Sequence, residues 1–193
     1  MLATHMRIRE AYESDTQNIA QLHAASWRST YRGMLSDAYL DGEVEAERLT
    51  LWRKRFSQLP SNQRVIVAES AGEIAGFACA YGSDDPLWGT LLENIHVSQT
   101  HKRQGVGAKL MRAVASWSAQ THAGHGIYLW VLKPNLGAQM FYERLGAENV
   151  GSDIWIPPDG GAIPKFRFAW RQAEALLSAV ANFSFNGTPD GAR

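Results

Sequence analysis

Apolar residues along this chain recur at two different spacings, and the alternation between them predicts an α/β protein. A spacing of two, or a short continuous apolar run, indicates strands at residues 6–11, 64–70, 74–81, 91–97, 126–132, 149–156 and 164–170. A spacing of three and four indicates helices that begin near residues 14, 36, 105, 135 and 172. The resulting order is β-α-α-β-β-β-α-β-α-β-β, followed by a last helix.

This order predicts a central mixed sheet that is mostly antiparallel and is flanked by helices. The strands at 64–70 and 74–81 are joined by a three-residue connection and should pair as a hairpin, with Gly72 at positive φ. The fourth strand, its following helix and the strand at 126–132 form a β-α-β crossover, so the fourth and fifth strands should lie parallel. Residues 1–171 are expected to form one domain, and 172–193 a C-terminal helix with a flexible tail.

Two helices carry recognisable local signals. Ser14 to Gln17 reads S-D-T-Q, a capping-box pattern that would open the first helix. Ser36 can cap the second helical region, where Trp52, Phe56 and Leu59 are predicted to form the buried face. That helix should end before Pro60.

Composition narrows the class of partner. The 193 residues contain 19 Lys and Arg and 19 Asp and Glu, so net charge favours neither nucleic acid nor an anionic membrane as partner. Cys79 is the only cysteine; it is interpreted as a small buried hydrophobic residue in a reducing compartment, and the sequence offers no four-ligand zinc pattern. No metal is expected. Without a signal-peptide core or a long apolar segment, a cytoplasmic location is the expectation.

The segment HKRQGVGAKLM (101–111) lies between the fourth strand and a helix. Backbone N–H groups at a helix start have no partner inside the helix, so they form an anion site that Gly105 and Gly107 would leave open to a phosphate. The nucleotide P-loop does not fit, because Lys109 follows Gly107 by two and precedes Leu110. The dinucleotide loop does not fit either, since Leu110 stands where its third glycine would be.

Two segments resemble motifs of the GNAT superfamily of N-acetyltransferases. Lys102–Gly107 matches its [R/Q]-x-x-G-x-[G/A] acyl-coenzyme A loop, with lysine at the first position. Residues 135–147, NLGAQMFYERLGA, match its N-x-x-A-x-x-F-Y-x-x-x-G-F segment, with Ala147 replacing the terminal aromatic residue. The resemblance covers residues 6 to about 170 and implies the acyl-CoA N-acyltransferase fold with acetyl-CoA as co-substrate.

In that family an amine attacks the acetyl thioester directly, and no covalent enzyme intermediate forms. The resemblance therefore implies that Tyr142 is the general acid near the sulfur, the alternative being an aromatic residue packed beside Phe141. Asn135 would bind the pantetheine arm or simply cap its helix. The cofactor-binding positions implied by the resemblance are Ile95, His96, Val97, Arg103, Gln104, Gly105, Val106, Gly107, Ala108, Asn135 and Tyr142.

Strand periodicity and the resemblance together select the base. A strict period of two places Leu91, Glu93, Ile95 and Val97 on one face of the fourth strand, and Leu92, Asn94 and His96 on the other. In the resemblance, the polar residue two positions before Ile95 faces the amine, so Glu93 would accept its proton through a water in a partly dry site. A surface ion pair of Glu93 is the alternative, and His96 is expected to be a packed or solvent-facing histidine on the wrong face.

The acceptor amine is the least determined part of the reaction. By resemblance it enters over the first two helices and the last hairpin, so Trp27, Tyr31 and Arg32 become candidate substrate residues. A small-molecule amine such as a polyamine and a protein amino group both stay open, as does a homodimer. An acidic groove would have to come from Asp37, Asp41, Glu43, Glu45 and Glu47. The competing class is a non-catalytic acyl-CoA-binding sensor or regulatory protein.

Overall fold

A computed structural model describes residues 6–183. One seven-stranded sheet runs in the order β1-β2-β3-β4-β5-β7-β6. Its strands are β1 (Arg7–Glu10), β2 (Gln63–Ser70), β3 (Glu73–Asp85), β4 (Gly89–Val97), β5 (Ile127–Leu132), β6 (Glu148–Trp155) and β7 (Ile163–Trp170). Every neighbouring pair is antiparallel except β4 and β5, which are parallel, so the mixed, mostly antiparallel sheet predicted from the sequence is confirmed.

Five α-helices cover this sheet. They are α1 (Thr16–Thr30), α2 (Val44–Ser57), α3 (Val106–Thr121), α4 (Leu136–Arg144) and α5 (Ala173–Ala181). Residues of α3, α4 and α5 form one large core with the alternate apolar residues of β2 to β5 and β7. On the opposite face, residues of α1 and α2 bury a second core that includes Trp52, Phe77 and Cys79.

The predicted capping box at the start of the first helix is wrong. The helix begins at Thr16 after a short 3-10 turn, and neither Ser14 nor Asp15 caps it with its side chain. The Asp15 carboxylate instead accepts hydrogen bonds from two guanidinium nitrogens of Arg9 at 2.7 and 3.0 Å and from Tyr12 N at 2.8 Å. The Asp15 carboxylate of the predicted capping pattern therefore binds an arginine of β1 and does not cap the helix.

For the second helix, two of the three predicted buried residues are correct, but the predicted helix extends too far toward its C-terminus. Trp52 and Phe56 are buried, whereas Leu59 is 58% exposed, because α2 ends at Ser57 and the chain has already turned away. Ser36 does accept a hydrogen bond from Tyr39 N at 3.3 Å. Part of the predicted C-terminal tail, residues 184–193, lies outside the described residues.

Candidate active site

The sheet opens between its two parallel strands. β4 and β5 pair only at Thr90 with Ile127 and at Leu91 with Tyr128. Beyond these residues β4 continues to Val97 and β5 to Leu132, yet no further pairing between the two is formed in the described structure. The facing backbone edges of residues 92–97 and 129–132 therefore border an opening that an extended ligand can enter and bind by main-chain hydrogen bonds.

The glycine loop lies at the end of β4 and leads into α3. Gly105 has φ +82° and occupies the N-cap position, and Arg103 also has positive φ, +62°. The first main-chain bond of the helix runs from Lys109 N to Gly105 O at 3.0 Å. Within residues 6–183, no acceptor binds the N–H groups of 103–108, so this loop presents a row of free donors at the positive end of a helix dipole.

The two glycines of the loop are needed for different reasons. Gly105 adopts a left-handed conformation, which a β-branched residue strongly disfavours. A β-carbon at Gly107 would lie 3.4 Å from Phe141 Cζ on α4, an ordinary van der Waals contact. The backbone conformation therefore requires glycine at position 105, whereas position 107 has room for a β-carbon in this structure.

Helix α4 brings Tyr142 into the core beside the opening. Its ring packs against Phe168 and Trp170, each with centroids 6.3 Å away, and against Phe141 at 5.4 Å, so the aromatic packing beside Phe141 is present. Burial raises the pKa of Tyr142 above its ordinary value, and Tyr31 raises it further. The phenol is therefore protonated at neutral pH and can donate a proton.

Asn135 caps α4, as one of the two interpretations of this residue predicts. Its side-chain oxygen accepts a hydrogen bond from Ala138 N at 3.3 Å. The amide nitrogen of the same side chain has no acceptor among residues 6–183, so it stays free to bind a ligand. Gln104 is also engaged locally, since its side chain donates to Thr100 O at 2.8 Å.

A β-bulge in β4 overturns the predicted faces of this strand. Cys79 pairs with Asn94, but the next residue of β3, Ala80, pairs with Leu92, so Glu93 is an extra residue on β4. Leu92 and Ile95 consequently both pack in the α3 core, together with Val97. Glu93 lies instead on the α1 and α2 side with Asn94 and His96, which is a correction to the strict period of two.

Glu93 is held by an arginine of α2. Arg55 Nη2 lies 3.3 Å from Glu93 Oε1, and Arg55 Nη1 donates to Asn94 Oδ1. The Glu93 side chain is 39% exposed, so the expected partly dry surroundings are wrong and the ion-pair alternative is present. The Glu93 carboxylate is therefore accessible to water.

His96 is a packed histidine, as expected. The reason given from the sequence is wrong, because His96 lies on the same side of β4 as Glu93 and not on the opposite one. Its Nδ1 lies 2.8 Å from Ser26 Oγ, and its ring centroid is 4.5 Å from that of His23. Burial lowers the pKa of His96 to about 3, and the charge of Arg48 contributes. Burial also lowers the pKa of His23, whose Nδ1 accepts from Trp52 Nε1 at 3.0 Å, so both rings are neutral.

These neutral histidines predict acid sensitivity. A histidine in the unfolded chain has a pKa near 6.5, whereas the pKa of His96 in the folded protein is about 3. The contribution of neutral His96 to the free energy of unfolding is therefore fully present above about pH 6.5 and decreases as the pH falls. From pH 7 to pH 5 the parent should lose about 1–2 kcal/mol more free energy of unfolding than His96→Gln, measured by urea denaturation. The exposed His125→Gln serves as control, and an equal loss in parent and His96→Gln would contradict the assignment.

Trp27 and Tyr31, both candidate substrate residues from the sequence, lie together in an aromatic cluster. Trp27 is within 6.5 Å of Tyr31, Tyr39 and Trp155, and Tyr31 is within 6.4 Å of Trp155 on β6. Sequence reasoning missed Arg48, whose guanidinium carbon lies 4.2 Å from the Trp27 ring centroid and whose Nε has no acceptor in the described structure. Only its position four residues before Trp52 on α2 could have indicated burial.

Arg32 does not join that cluster. It is exposed and pairs with Asp37 at 2.8 Å and with Asp41 at 2.7 Å. The neighbouring acids are engaged as well: Glu45 pairs with Arg28, and Glu47 with Arg48 and the Tyr39 hydroxyl. The acidic run is therefore largely neutralised within the chain, and Arg32 serves the helix connection rather than the cleft.

Other features of residues 6–183 add nothing to this site. A groove of about 530 Å³ lies between α1, the turn at residues 72–74 and the end of β4, and it contains neither Tyr142 nor Glu93. Cys79 is fully buried, and burial raises the pKa of its thiol to about 12. Among residues 6–183 no cluster of His, Cys, Asp and Glu could hold a metal ion. No helix in the same range is long and apolar enough to span a bilayer.

Residues 10–147 match the Acetyltransferase (GNAT) family model. The chain is 30% identical over 150 residues, 76% of this chain and 82% of the other, to the uncharacterized N-acetyltransferase YuaI of Bacillus subtilis. It is 35% identical over 96 residues, 48% of this chain and 49% of the other, to a streptothricin acetyltransferase of Streptomyces lavendulae.

Among solved structures, the PaiA N-acetyltransferase of Thermoplasma acidophilum in complex with coenzyme A has the same fold. Its TM-score is 0.61 at 15% identity, over 84% of this chain and 98% of that one. The sheet with its single parallel pair, the loop of free donors and the family match all agree. This chain therefore belongs to the GNAT family and is an acetyl-CoA-dependent acetyltransferase.

Proposed function

We propose that this enzyme transfers the acetyl group of acetyl-CoA to a primary amine of a small molecule by direct attack. The observation that carries the proposal is the opening between β4 and β5, which has a protonated tyrosine beside it and a loop of free N–H donors at the end of β4. The first arrangement suits a thioester in transfer and the second suits a pyrophosphate.

The chain's own groups account for binding of the co-substrate. The pyrophosphate would accept hydrogen bonds from the N–H groups of residues 103–108, and the pantetheine arm would lie along Ile95–Val97. Asn135 would bind the same arm through its free amide nitrogen. These contacts would place the thioester at the opening, where two reactants held in register gain most of the advantage of proximity.

The chemical step needs one base and one acid. The amine nitrogen would attack the acetyl carbonyl carbon, and the carbon–sulfur bond would break as the tetrahedral adduct collapses. Glu93 would accept the amine proton through a water, while Tyr142 would donate its proton to the departing sulfur. Glu93 is accessible to water, as a proton relay through water requires, and the phenol of Tyr142 carries the proton that its role requires.

A small-molecule acceptor is favoured over a protein amino group, and among small-molecule amines a polyamine is disfavoured. Beside the aromatic cluster around Trp27, Ser36 N donates to Asp159 on the β6–β7 connection at 2.6 Å, and we expect this link to restrict access by a protein chain. A polycation would need free carboxylates, and most acids near the first two helices are already paired. The partial match to a streptothricin acetyltransferase also supports a small-molecule acceptor.

The test is release of free thiol from acetyl-CoA in the presence of a panel of amines. We expect thiol release that depends on the amine and is matched by acetylated product, identified by mass spectrometry. A protein that binds coenzyme A by calorimetry but releases no thiol with any amine would be the alternative, a non-catalytic acyl-CoA sensor. The presence of both Tyr142 and Glu93 favours the enzyme.

The role of Glu93 can be tested by pH. Glu93→Gln should lower kcat/KM most at neutral and lower pH, by roughly 10- to 100-fold, because an amine with pKa near 10 must be deprotonated there. The deficit should shrink at high pH, where free amine is plentiful. Asp85→Asn, a carboxylate elsewhere on the strands that caps Leu87 N, is the control. A constant ratio of variant to parent activity across pH would remove Glu93 from the role of base.

A further inference from the structure

One face of β5 and β7 carries cations and aromatic rings on the acceptor side of the sheet. Ile127 and Leu129 of β5 and Phe168 of β7 pack in the α3 core. Because strand side chains alternate, Trp130 and Arg167 point to the opposite face. This is the face of α1 and α2, and Glu93 lies on it too, as its contact with Arg55 shows.

Arg167 lies one strand beyond the opening, on the same face of the sheet as Glu93. The last paired residues are Leu91 on β4 and Tyr128 on β5, and Glu93 and Trp130 each follow by two positions. Arg167 is the register partner of Trp130 on β7. β5 therefore lies between the opening and the arginine, and the carboxylate lies on β4 at the other side of the opening.

The guanidinium of Arg167 is held by rings and not by an acid. Its central carbon lies 4.6 Å from the Trp130 ring centroid, 5.3 Å from that of Tyr128 and 5.7 Å from that of Trp88. Within residues 6–183, no carboxylate oxygen lies within 4.0 Å of it, and its Nε is buried without an acceptor.

The neighbouring acids have other partners. Asp84 accepts a hydrogen bond from the Tyr128 hydroxyl at 2.5 Å, and Asp153 pairs with Lys165 at 3.3 Å. Lys165 shares the Trp130 ring, with its Nζ 4.3 Å from the centroid. Lys165 and Arg167 lie on one strand face, and within residues 6–183 Lys165 is paired with a carboxylate whereas Arg167 is not.

We infer that Arg167 binds a carboxylate of the acceptor, so that the substrate class is amines carrying a carboxylate close to the amino group. A planar guanidinium held in place by aromatic rings is preorganised for two hydrogen bonds to a carboxylate. Because Nε is buried, the carboxylate would accept these bonds from the Nη groups, and the amine of such a ligand would extend over β5 toward the opening and Glu93. A polyamine would bring a cation next to Arg167. The inference rests on the proposed direction of amine entry.

Binding of product analogues tests the inference without relying on turnover. N-acetylglycine and N-acetyl-β-alanine carry the carboxylate, and their primary amides are the neutral matches. Titrated by calorimetry against the protein with coenzyme A, at least one acid should bind about 10- to 100-fold more tightly than its amide. Arg167→Met should abolish that preference, whereas Lys165→Met, which loses a similar cation–ring contact, should retain it. Equal binding of acids and amides to the parent, or an unchanged preference in Arg167→Met, would overturn the inference.

The activity arm separates this inference from the proposed function. Among amines that release thiol, glycine or β-alanine should have a KM about 10- to 100-fold lower than its amide, and Arg167→Met should raise that KM alone. Turnover with the amides or with spermidine at equal or lower KM would overturn the carboxylate assignment and leave the transferase intact. No turnover with any amine, together with a carboxylate preference in calorimetry, would refute the proposed transfer and keep the Arg167 site.

Discussion

Tyr142→Phe should lower kcat by roughly 10- to 1000-fold on any accepted amine and leave the affinity for acetyl-CoA nearly unchanged. The ring of Tyr142 is buried between Phe168 and Trp170, and phenylalanine keeps those contacts. Only the hydroxyl is lost, and with it the proton for the departing sulfur. Steady-state kinetics with free thiol as readout, together with calorimetry for the co-substrate, measure both quantities.

Two controls make this result interpretable. Tyr12→Phe removes a hydroxyl from an exposed tyrosine and should leave kcat unchanged. Thermal unfolding of Tyr142→Phe should stay close to that of the parent, since no hydrogen bond of this hydroxyl is formed within residues 6–183. A full rate for Tyr142→Phe would mean that the thiolate leaves unassisted or with a water as its acid.

Gly105→Val should weaken binding of coenzyme A by about 10- to 1000-fold. Gly105 has φ +82°, so a β-branched residue strains the backbone by about 1–2 kcal/mol and moves the loop whose N–H groups we expect to bind the pyrophosphate. A valine side chain would also stand in the path of the ligand. Calorimetric titration with coenzyme A measures the loss.

The matched control for this loop is Gly124→Val. Gly124 has φ +79° and open space around its α-carbon, so it should suffer the same backbone strain in the connection between α3 and β5. We expect similar losses of stability in the two variants but weakened coenzyme A binding only at Gly105. Parent-like affinity in Gly105→Val would show that the loop assignment is wrong.

Local spacing was sufficient to predict the parts of the fold that depend on neighbours in sequence. The glycine loop, the hairpin at Gly72 and the cap at Asn135 are all decided within a few residues, and the structure contains each of them. The parallel pair follows from the handedness and length of one crossover. The glycine loop could therefore be predicted from the sequence, because its motif depends only on residues that are close together along the chain.

What the sequence did not reveal depends on contacts between distant segments. The bulge at Glu93 exists because β3 and β4 pair out of step, and a strict period of two cannot register an extra residue. Asp15 does not cap the first helix because its carboxylate binds Arg9. The aromatic rings around Arg167 come from segments whose contact the sequence does not indicate. The ion pairs of Glu93 and Asp15, and the absence of a carboxylate beside Arg167 within residues 6–183, depend on residues that are distant in the sequence.

A crystal structure of the enzyme with coenzyme A tests the central claim most directly. The account predicts that the sulfur lies in the opening between β4 and β5 within hydrogen-bonding distance of the Tyr142 hydroxyl, with the pyrophosphate on the N–H groups of residues 103–108. Coenzyme A seated instead in the groove between α1 and the turn at residues 72–74, with its sulfur remote from Tyr142, would contradict it.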